Sequence, residues 1–211
     1  MANYIDGSDP RAVALAAEAL GTGAVVALPT DTVYGLAADP TRPEAVERLF
    51  ALKDRPSDVP LPVLVADRDQ VGEVARALDS AARHLADRFW PGPLTLVVPR
   101  RHSFTVDLGG PPAARHTVGV RLPDHPLVRA LCTEVGPLAV TSANTHGAPP
   151  AVTAHQVVTT FKEGDGLMLV IDGGVCDGIP STVVECRGPA SRGLREGAIT
   201  WPEIFPSRHR G

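Results

Sequence analysis

Short apolar runs alternate with helical patterns along all 211 residues of this chain, without repeats, linkers or low-complexity segments. The predicted strands are 24–29, 61–66, 94–98, 117–121, 136–141, 167–171 and 181–186. The predicted helices are 10–21, a segment from 41–44 toward residue 53, 71–77, 80–89, 126–135 and 153–161. Strands and helices interleaved in this way predict an α/β fold, with a mixed or parallel sheet and helices on its faces. A hydrophobic content of 44% and this length favour one domain over residues 1–211.

Side chains that cap helices are predicted at four helix starts. Ser8 or Asp9 precedes the first helix, and "TRPE" at 41–44 has the pattern of a capping box. Asp124 and Thr153 are the predicted caps of two later helices.

Composition limits the partners that such a fold could bind. A net charge of −4 and an aromatic content of 4% argue against a broad polyanion surface or a base-stacking platform, so any anion site must be local. Cys132, Cys176 and Cys186 are odd in number and widely spaced, which favours buried thiols in a reducing cytosol over a disulfide framework. With no leader-like N-terminus and no apolar run of about 18 residues, we expect a soluble cytoplasmic protein without a membrane segment.

The segment "PTDTVYGL" follows the predicted strand 24–29 directly. In extended backbone alternate residues point the same way, so Thr30, Thr32 and Tyr34 are expected to face one pocket. Asp31 lies between the threonines, and Gly35 closes the turn. A polar turn without function is the alternative.

Two further segments offer groups for an anion. The chain has 20 lysines and arginines but only two lysines, and one of them, Lys53, lies two positions before Arg55. Pro56 favours extended backbone at Arg55, so both cations are expected on one side, where they suit a polyphosphate. Ser142 and Asn144 likewise share a face at a strand end. A solvated helix C-terminus and a simple turn remain the alternatives.

The remaining strand ends carry single polar residues. Thr117 and Arg121 are predicted on one face of a strand, with Arg121 at its end. Thr141 ends an apolar run, Ser181 precedes a strand, and Arg195 lies in "LREGAI". Each of these signals is weak alone, because ligands gather at strand ends but so do ordinary surface residues.

The order and spacing of these segments are more specific than any one of them. "PTDTVYGL", "K-x-R-P-x-x-x-P-L", "WPGPLT", "R-x-P", "TSAN", and "PSTVV" followed by "LREGAI" run from about residue 12 to 199. In this the chain resembles the YrdC family, the threonylcarbamoyl-AMP synthases, in the form without an added C-terminal domain. The resemblance implies a twisted open mixed sheet around a basic cavity. It also implies formation of threonylcarbamoyl-AMP, pyrophosphate and water from L-threonine, bicarbonate and ATP, for threonylcarbamoyladenosine in tRNA.

The resemblance also implies roles for individual residues. The family's catalytic tetrad corresponds to Lys53, Arg55, Ser142 and Asn144. The implied threonine contacts are Thr32, Arg121 and Ser181, and the predicted set also includes Tyr34 and Thr141. The predicted ATP contacts are Lys53, Arg55, Thr117, Ser142 and Arg195. No residue is predicted as a metal ligand, because Mg²⁺ is expected to bind mainly through the ATP phosphates. A downstream tRNA threonylcarbamoyl-transferase complex and weak tRNA binding are the other expected partners.

Three positions depart from the family pattern, and two other functions stay open. Val59 stands where a polar Asn or Lys is frequent, Leu64 where some members have His, and Pro150 where many have Ser. The alternatives are a double-stranded RNA or tRNA binding module and a related carbamoyl-adenylate transferase. No P-loop or G-x-G-x-x-G is present, and "WPGPLT" could form either a wall of the site or a structural corner.

Overall fold

The computed structural model describes residues 3–53, 59–145, 147–161, 166–188 and 191–206. The strands are β1 Asn3–Asp6, β2 Val25–Leu28, β3 Gly35–Ala38, β4 Val63–Leu64, β5 Leu94–Pro99, β6 Thr117–Arg121, β7 Leu138–Ser142, β8 Leu167–Asp172, β9 Thr182–Cys186 and β10 Ser191–Arg195. The α-helices are α1 Ala12–Gly21, α2 Pro43–Leu52, α3 Arg68–Val74, α4 Ser80–Phe89, α5 Pro126–Val135, α6 Ala154–Thr160 and α7 Trp201–Ile204. A 3₁₀ helix spans Pro112–His116.

The strands form one mixed sheet in the order β1-β8-β2-β3-β7-β4-β6-β5-β9-β10. The β1–β8, β2–β8, β4–β6 and β5–β9 pairs are parallel. The β2–β3, β3–β7, β4–β7, β5–β6 and β9–β10 pairs are antiparallel. The predicted α/β class with a mixed sheet and flanking helices is therefore confirmed.

Helices cover both faces of the middle of the sheet. All four residues of β2 are buried, as expected for a strand packed on both sides. Val25 and Ala27 belong to one hydrophobic cluster, with α2 and α4, whereas Val26 and Leu28 belong to another, with α1 and α5. The central strand ends are consequently held between two packed layers, which fixes the loops that follow them.

The helices agree with the predictions better than their caps do. Residues 80–89 and 126–135 are helical as predicted, and Thr153 caps α6 in a capping box with Gln156. The predicted caps of α2 and α5 are wrong, because neither helix has a side-chain cap, whereas Asp9 Oδ1 accepts the Arg11 N–H at 2.8 Å just before α1. Helices α2 and α5 begin at a proline, whose fixed φ suits the first helical position without a cap. The Thr41 hydroxyl instead donates to Asp39.

Three strands were not predicted, and each lacks the usual strand signal. Strand β3 has the sequence GLAA, residues with low strand propensity, and is held because β2 and β7 flank it. Strands β1 and β10 lie at the two edges of the sheet and are mostly exposed. Their pairing with β8 and β9 depends on the neighbouring strand and not on their own apolar pattern.

Two predictions from composition can be compared with the fold. Cys132, Cys176 and Cys186 are free and buried, as expected. Among the described residues, none of the helices combines the length and apolarity needed to cross a bilayer.

Candidate active site

Lys53, Ser142 and Asn144 meet at the end of β7. Lys53 caps the C-terminus of α2 and is only 3% exposed. Its Nζ lies 2.6 Å from the Ser142 carbonyl oxygen, 3.2 Å from Ser142 Oγ and 2.9 Å from Asn144 Oδ1. Ser142 Oγ donates to Asn144 Oδ1 at 2.6 Å, and the Asn144 amide donates to the carbonyls of residues 145 and 148. The predicted meeting of these three residues is confirmed.

A second cluster surrounds Arg121 at the end of β6. The guanidinium is buried and donates from Nε to the Gly92 carbonyl at 3.1 Å and from Nη1 to Thr32 Oγ1 at 2.9 Å. Nη2 forms an ion pair with Asp31 Oδ1 at 2.5 Å, and the two side chains are 7% and 13% exposed. Thr32 Oγ1 also lies 2.9 Å from Thr30 Oγ1, so the two threonine hydroxyls are adjacent. Burial lowers the pKa of Arg121, whereas Asp31 raises it.

The backbone between β2 and β3 bends and is not extended as predicted. The Thr30 hydroxyl donates to the Val33 carbonyl and accepts from the backbone N–H groups of residues 32 and 33. Because of this turn, the consecutive residues Asp31 and Thr32 both reach Arg121. Alternation of side chains, on which the prediction was based, therefore does not apply here.

Tyr34 does not join the threonines, and this corrects the prediction that it faces their pocket. Its ring is fully buried, and its hydroxyl donates to the Gly174 carbonyl at 2.9 Å and accepts from the Gly173 N–H at 3.1 Å. Burial raises the pKa of the Tyr34 hydroxyl, which remains a proton donor at neutral pH. Through these bonds Tyr34 links the loop of residues 30–34 to the turn after β8.

A cavity of about 440 Å³ lies on one face of strands β5, β6 and β9. Thr117 and Gly119, alternate residues of β6, line it, and Arg121 continues the same alternation. Ser181 and Arg195 also line the cavity, and Arg195 Nη2 donates to the Ser181 carbonyl at 2.8 Å and to its hydroxyl at 3.3 Å. The volume is typical of a pocket for a small ligand such as a nucleotide.

Backbone pairing joins these three groups of residues. Gly35 pairs with Ser142 across β3 and β7, and the Ala143 N–H donates to the Tyr34 carbonyl at 2.7 Å. This places the 30–34 loop beside the Lys53 cluster. The Gly92 carbonyl accepts from Arg121, and the Pro93 carbonyl accepts from the Thr182 N–H at 2.9 Å. This places Arg121 near Ser181, the residue before Thr182.

Other predicted positions have varied outcomes. Arg55 lies outside the described residues, so its partnership with Lys53 stays a prediction. Thr141 is buried on β7, where it pairs with residue 36 of β3. Val59 lines the cavity and is 46% exposed, whereas Leu64 is buried in the core. Pro150 is partly buried in the loop before Ala151, whose N–H donates to the Ala143 carbonyl.

The motif "WPGPLT" contributes both a structural corner and a wall of the site. Trp90 is buried and its indole N–H donates to the Leu94 carbonyl at 2.7 Å. Gly92 orients Arg121, and Thr95 lines the cavity with its hydroxyl 2.9 Å from Ser181 Oγ. Thr95 and Asp31 were not among the predicted site residues. Both lie within motifs that the sequence does display, but an isolated motif does not show which of its side chains face inward.

The chain is similar in sequence and in fold to proteins of one family. The Sua5/YciO/YrdC family model, described as telomere recombination, matches residues 18–197. The chain belongs to this family. A relative from Mycobacterium tuberculosis is 38% identical over 209 residues, covering 97% of this chain and 94% of that protein.

Two further members of the Sua5/YciO/YrdC family have informative names. The threonylcarbamoyl-AMP synthase of Bacillus subtilis is 40% identical over 202 residues, covering 93% of this chain and 56% of that enzyme. The structure of Pyrococcus abyssi Sua5 complexed with L-threonine matches with a TM-score of 0.84 and 32% identity, covering 98% of this chain and 61% of that chain. The present family member thus spans nearly all of its mycobacterial relative but less than two thirds of these two proteins.

Proposed function

We propose that the chain is a threonylcarbamoyl-AMP synthase. The observation that carries this proposal is that Arg121 ends β6, the strand whose Thr117 and Gly119 line a nucleotide-sized cavity, and contacts Thr32, whose loop is joined by backbone pairing to the Lys53–Ser142–Asn144 cluster. Arg121 and Thr32 suit the carboxylate and hydroxyl of an amino acid. The names of the Bacillus and Pyrococcus relatives agree with it, since one is a threonylcarbamoyl-AMP synthase and the other was crystallised with L-threonine.

The proposed reaction has two steps. The amine of L-threonine attacks bicarbonate or the carbon dioxide derived from it, forming a carbamate and, from bicarbonate, water. A carbamate oxygen then attacks the α-phosphorus of ATP, the bond to the β-phosphate oxygen breaks, and threonylcarbamoyl-AMP and pyrophosphate leave. Arg121 holds the threonine carboxylate, with Thr32 and Ser181 near its side chain or amine. No covalent enzyme intermediate is needed, because positioning and charge neutralisation are enough for such a site.

The nucleotide is proposed to occupy the cavity beside Thr117 and Arg195, with its phosphates toward Lys53 and Ser142. Arg55 is expected to complete this phosphate site. Mg²⁺ fits the donor set as an ion held by the ATP phosphates, because the site offers mainly hydroxyls, amides and cations. Among the described residues, no group of three or more His, Cys, Asp or Glu side chains is arranged to hold a metal. Bound in this way, Mg²⁺ would supply charge neutralisation at the phosphates.

The test is pyrophosphate release by the purified protein, with ATP present and threonine and bicarbonate varied independently. We expect release to require both, and a Lys53→Ala or Arg55→Ala change to lower it at least ~10-fold, which corresponds to about 1.4 kcal/mol of transition-state stabilisation. Arg11→Ala is the matched control, because Arg11 is exposed and pairs only with Asp9 among the contacts seen. Pyrophosphate release that does not depend on threonine would contradict the proposal and favour the related carbamoyl-adenylate transferase.

Further partners belong to the same proposal. The product is expected to pass to a tRNA threonylcarbamoyl-transferase complex in the cytoplasm. Weak tRNA binding is best tested on two adjoining surface cavities that share Arg76 and Arg101, with Arg83 lining one and Arg115 the other. Reversing the charge of Arg76 and Arg101 should weaken any tRNA binding and leave pyrophosphate release unchanged. RNA binding without turnover by the wild type would instead favour the binding-module alternative.

A further inference from the structure

Under the proposed function, the Arg121 subsite has to bind L-threonine in preference to the two other substrates. Of the three substrates, ATP and bicarbonate are anions, whereas L-threonine is a zwitterion without net charge at neutral pH. A buried guanidinium binds carboxylate, bicarbonate and phosphate oxygens alike. An amino-acid site built on an uncompensated arginine would therefore be occupied by the anionic substrates.

Asp31 changes the charge of this subsite. Its carboxylate pairs with Arg121 Nη2 at 2.5 Å, and both side chains are nearly buried, so solvent screens the pair weakly. The pair has no net charge. It is therefore attractive to a ligand that presents a carboxylate to the arginine and an ammonium group within the field of the aspartate, and less attractive to an anion.

The described contacts of Arg121 use three of its five N–H donors. A guanidinium has five N–H donors, and the Gly92 carbonyl, Thr32 Oγ1 and Asp31 Oδ1 each accept one. Among the described residues, one N–H on each terminal nitrogen has no acceptor. These two donors are available in number for the two oxygens of a carboxylate.

Asp31 and His125 each have a buried polar atom without a described hydrogen-bond partner. The Asp31 Oδ2 is buried and, among the described residues, receives no hydrogen bond, and the same holds for Nδ1 of nearby His125. Burial lowers the pKa of His125, although Asp31 and Asp124 oppose the shift, so the imidazole is neutral at neutral pH and does not cancel the carboxylate. A carboxylate with a purely structural role would be expected to have both oxygens satisfied.

We infer that Asp31 is a specificity-determining residue: paired with Arg121, it makes the subsite neutral and selects a zwitterionic amino acid over the anionic co-substrates. This inference rests on the proposed function and names a residue that acts through Arg121 and through its charge. It requires no direct contact between Asp31 and the substrate.

The experiment compares binding of L-threonine with binding of its α-hydroxy analogue, in which a hydroxyl replaces the ammonium group and the ligand is an anion. Calorimetry without ATP measures both ligands on the wild type and on Asp31→Asn, which keeps the shape and an oxygen for Arg121 but removes the charge. We expect the wild type to favour threonine at least ~10-fold and the variant to lose at least ~10-fold of that preference, in line with charges a few ångströms apart in a weakly screened site. Inorganic phosphate should compete with threonine in the variant more strongly than in the wild type.

Controls separate this effect from a loss of structure. Asp124→Asn removes an equal charge from an exposed neighbour of His125 and should leave the preference within about twofold, because exposed charges are screened. Equal preferences in folded Asp31→Asn and wild type would overturn the inference. If the variant does not fold, the wild type alone decides, since equal binding of the two ligands would also overturn it. Threonine binding with the expected preference but without pyrophosphate release would contradict the proposed function and leave this inference standing.

Discussion

The two buried cations of the site are held in different ways. The three contacts described for Lys53 all go to neutral oxygens, on Ser142 and Asn144. Arg121 also contacts neutral oxygens but is paired with the Asp31 carboxylate. The comparison teaches that burial alone does not define what a cation does in this fold. Asp31 compensates the charge of Arg121 within an ion pair, and the partners of each cation determine which groups lose a contact when that cation is removed.

The largest expected effect comes from breaking the ion pair from one side. Arg121→Met should destabilise the fold by about 3–5 kcal/mol, because it leaves the Asp31 carboxylate buried without a compensating charge. Chemical denaturation measures this directly.

The Arg121→Met/Asp31→Asn double variant is the control for the ion pair. It should recover part of the lost stability, because no unpaired charge remains. A double variant less stable than Arg121→Met would show that the pair is not the reason for the loss.

Lys53→Met should have the opposite balance of effects. Removing this cation breaks the hydrogen bonds described to Ser142 and Asn144, so we expect a loss of stability of about 1–3 kcal/mol. Pyrophosphate release, however, should fall at least ~10-fold. Lys53→Arg is the conservative control, and because the site needs a compact cation we expect only partial recovery. Activity close to wild type in folded Lys53→Met would remove Lys53 from the phosphate site.

The cavity proposed to hold the nucleotide can be changed separately from both cations. A Cβ added at Gly119 would lie 3.4 Å from Pro62 Cβ and 3.5 Å from Thr95 Cγ2, which are ordinary contacts. Gly119→Ala should therefore fold normally while narrowing the cavity that Gly119 lines. We expect the KM for ATP to rise about 3- to 10-fold, equivalent to about 0.6–1.4 kcal/mol, with little change in threonine binding. A rise in the threonine KM alone would place the nucleotide elsewhere.

The sequence predicted the members of the Lys53 cluster better than those around Arg121. Ser142 is the last residue of the apolar strand β7 and Asn144 lies two residues later in a bend, and their predicted meeting with Lys53 is confirmed. Around Arg121 the chain turns on the Thr30 hydroxyl, so alternation fails, and Tyr34 was wrongly assigned to the pocket while Asp31 was missed. Such a turn depends on a side-chain hydrogen bond within three residues, which the pattern of apolar and polar letters does not encode.

The same distinction holds for the fold. Strands with strong apolar runs, such as β6 and β8, were predicted within one residue of their bounds. Strand β3 was missed because its stability comes from its neighbours β2 and β7. Since β3 carries Gly35, which pairs with Ser142, an element without a sequence signal brings the two cation clusters together. Tertiary context therefore decides one strand beside the site, β3, whereas β6 and β7, which end at Arg121 and Ser142, form where their own apolar runs predict.

The smallest expected effect tests whether Asp31, the partner of Arg121, influences the titration of His125. Burial lowers its pKa in the folded protein below the ordinary value of about 6.5, so the unfolded chain binds more protons as the pH falls below that value. Stability should therefore decrease on going from about pH 7.5 to about pH 5.5, and it should decrease less in His125→Gln, which cannot titrate. Asp31 opposes the shift, so Asp31→Asn should lower the pKa of His125 further and make the loss of stability on acidification larger. Urea unfolding of the three proteins at the two pH values measures these differences, and the same loss in all three would separate His125 from Asp31.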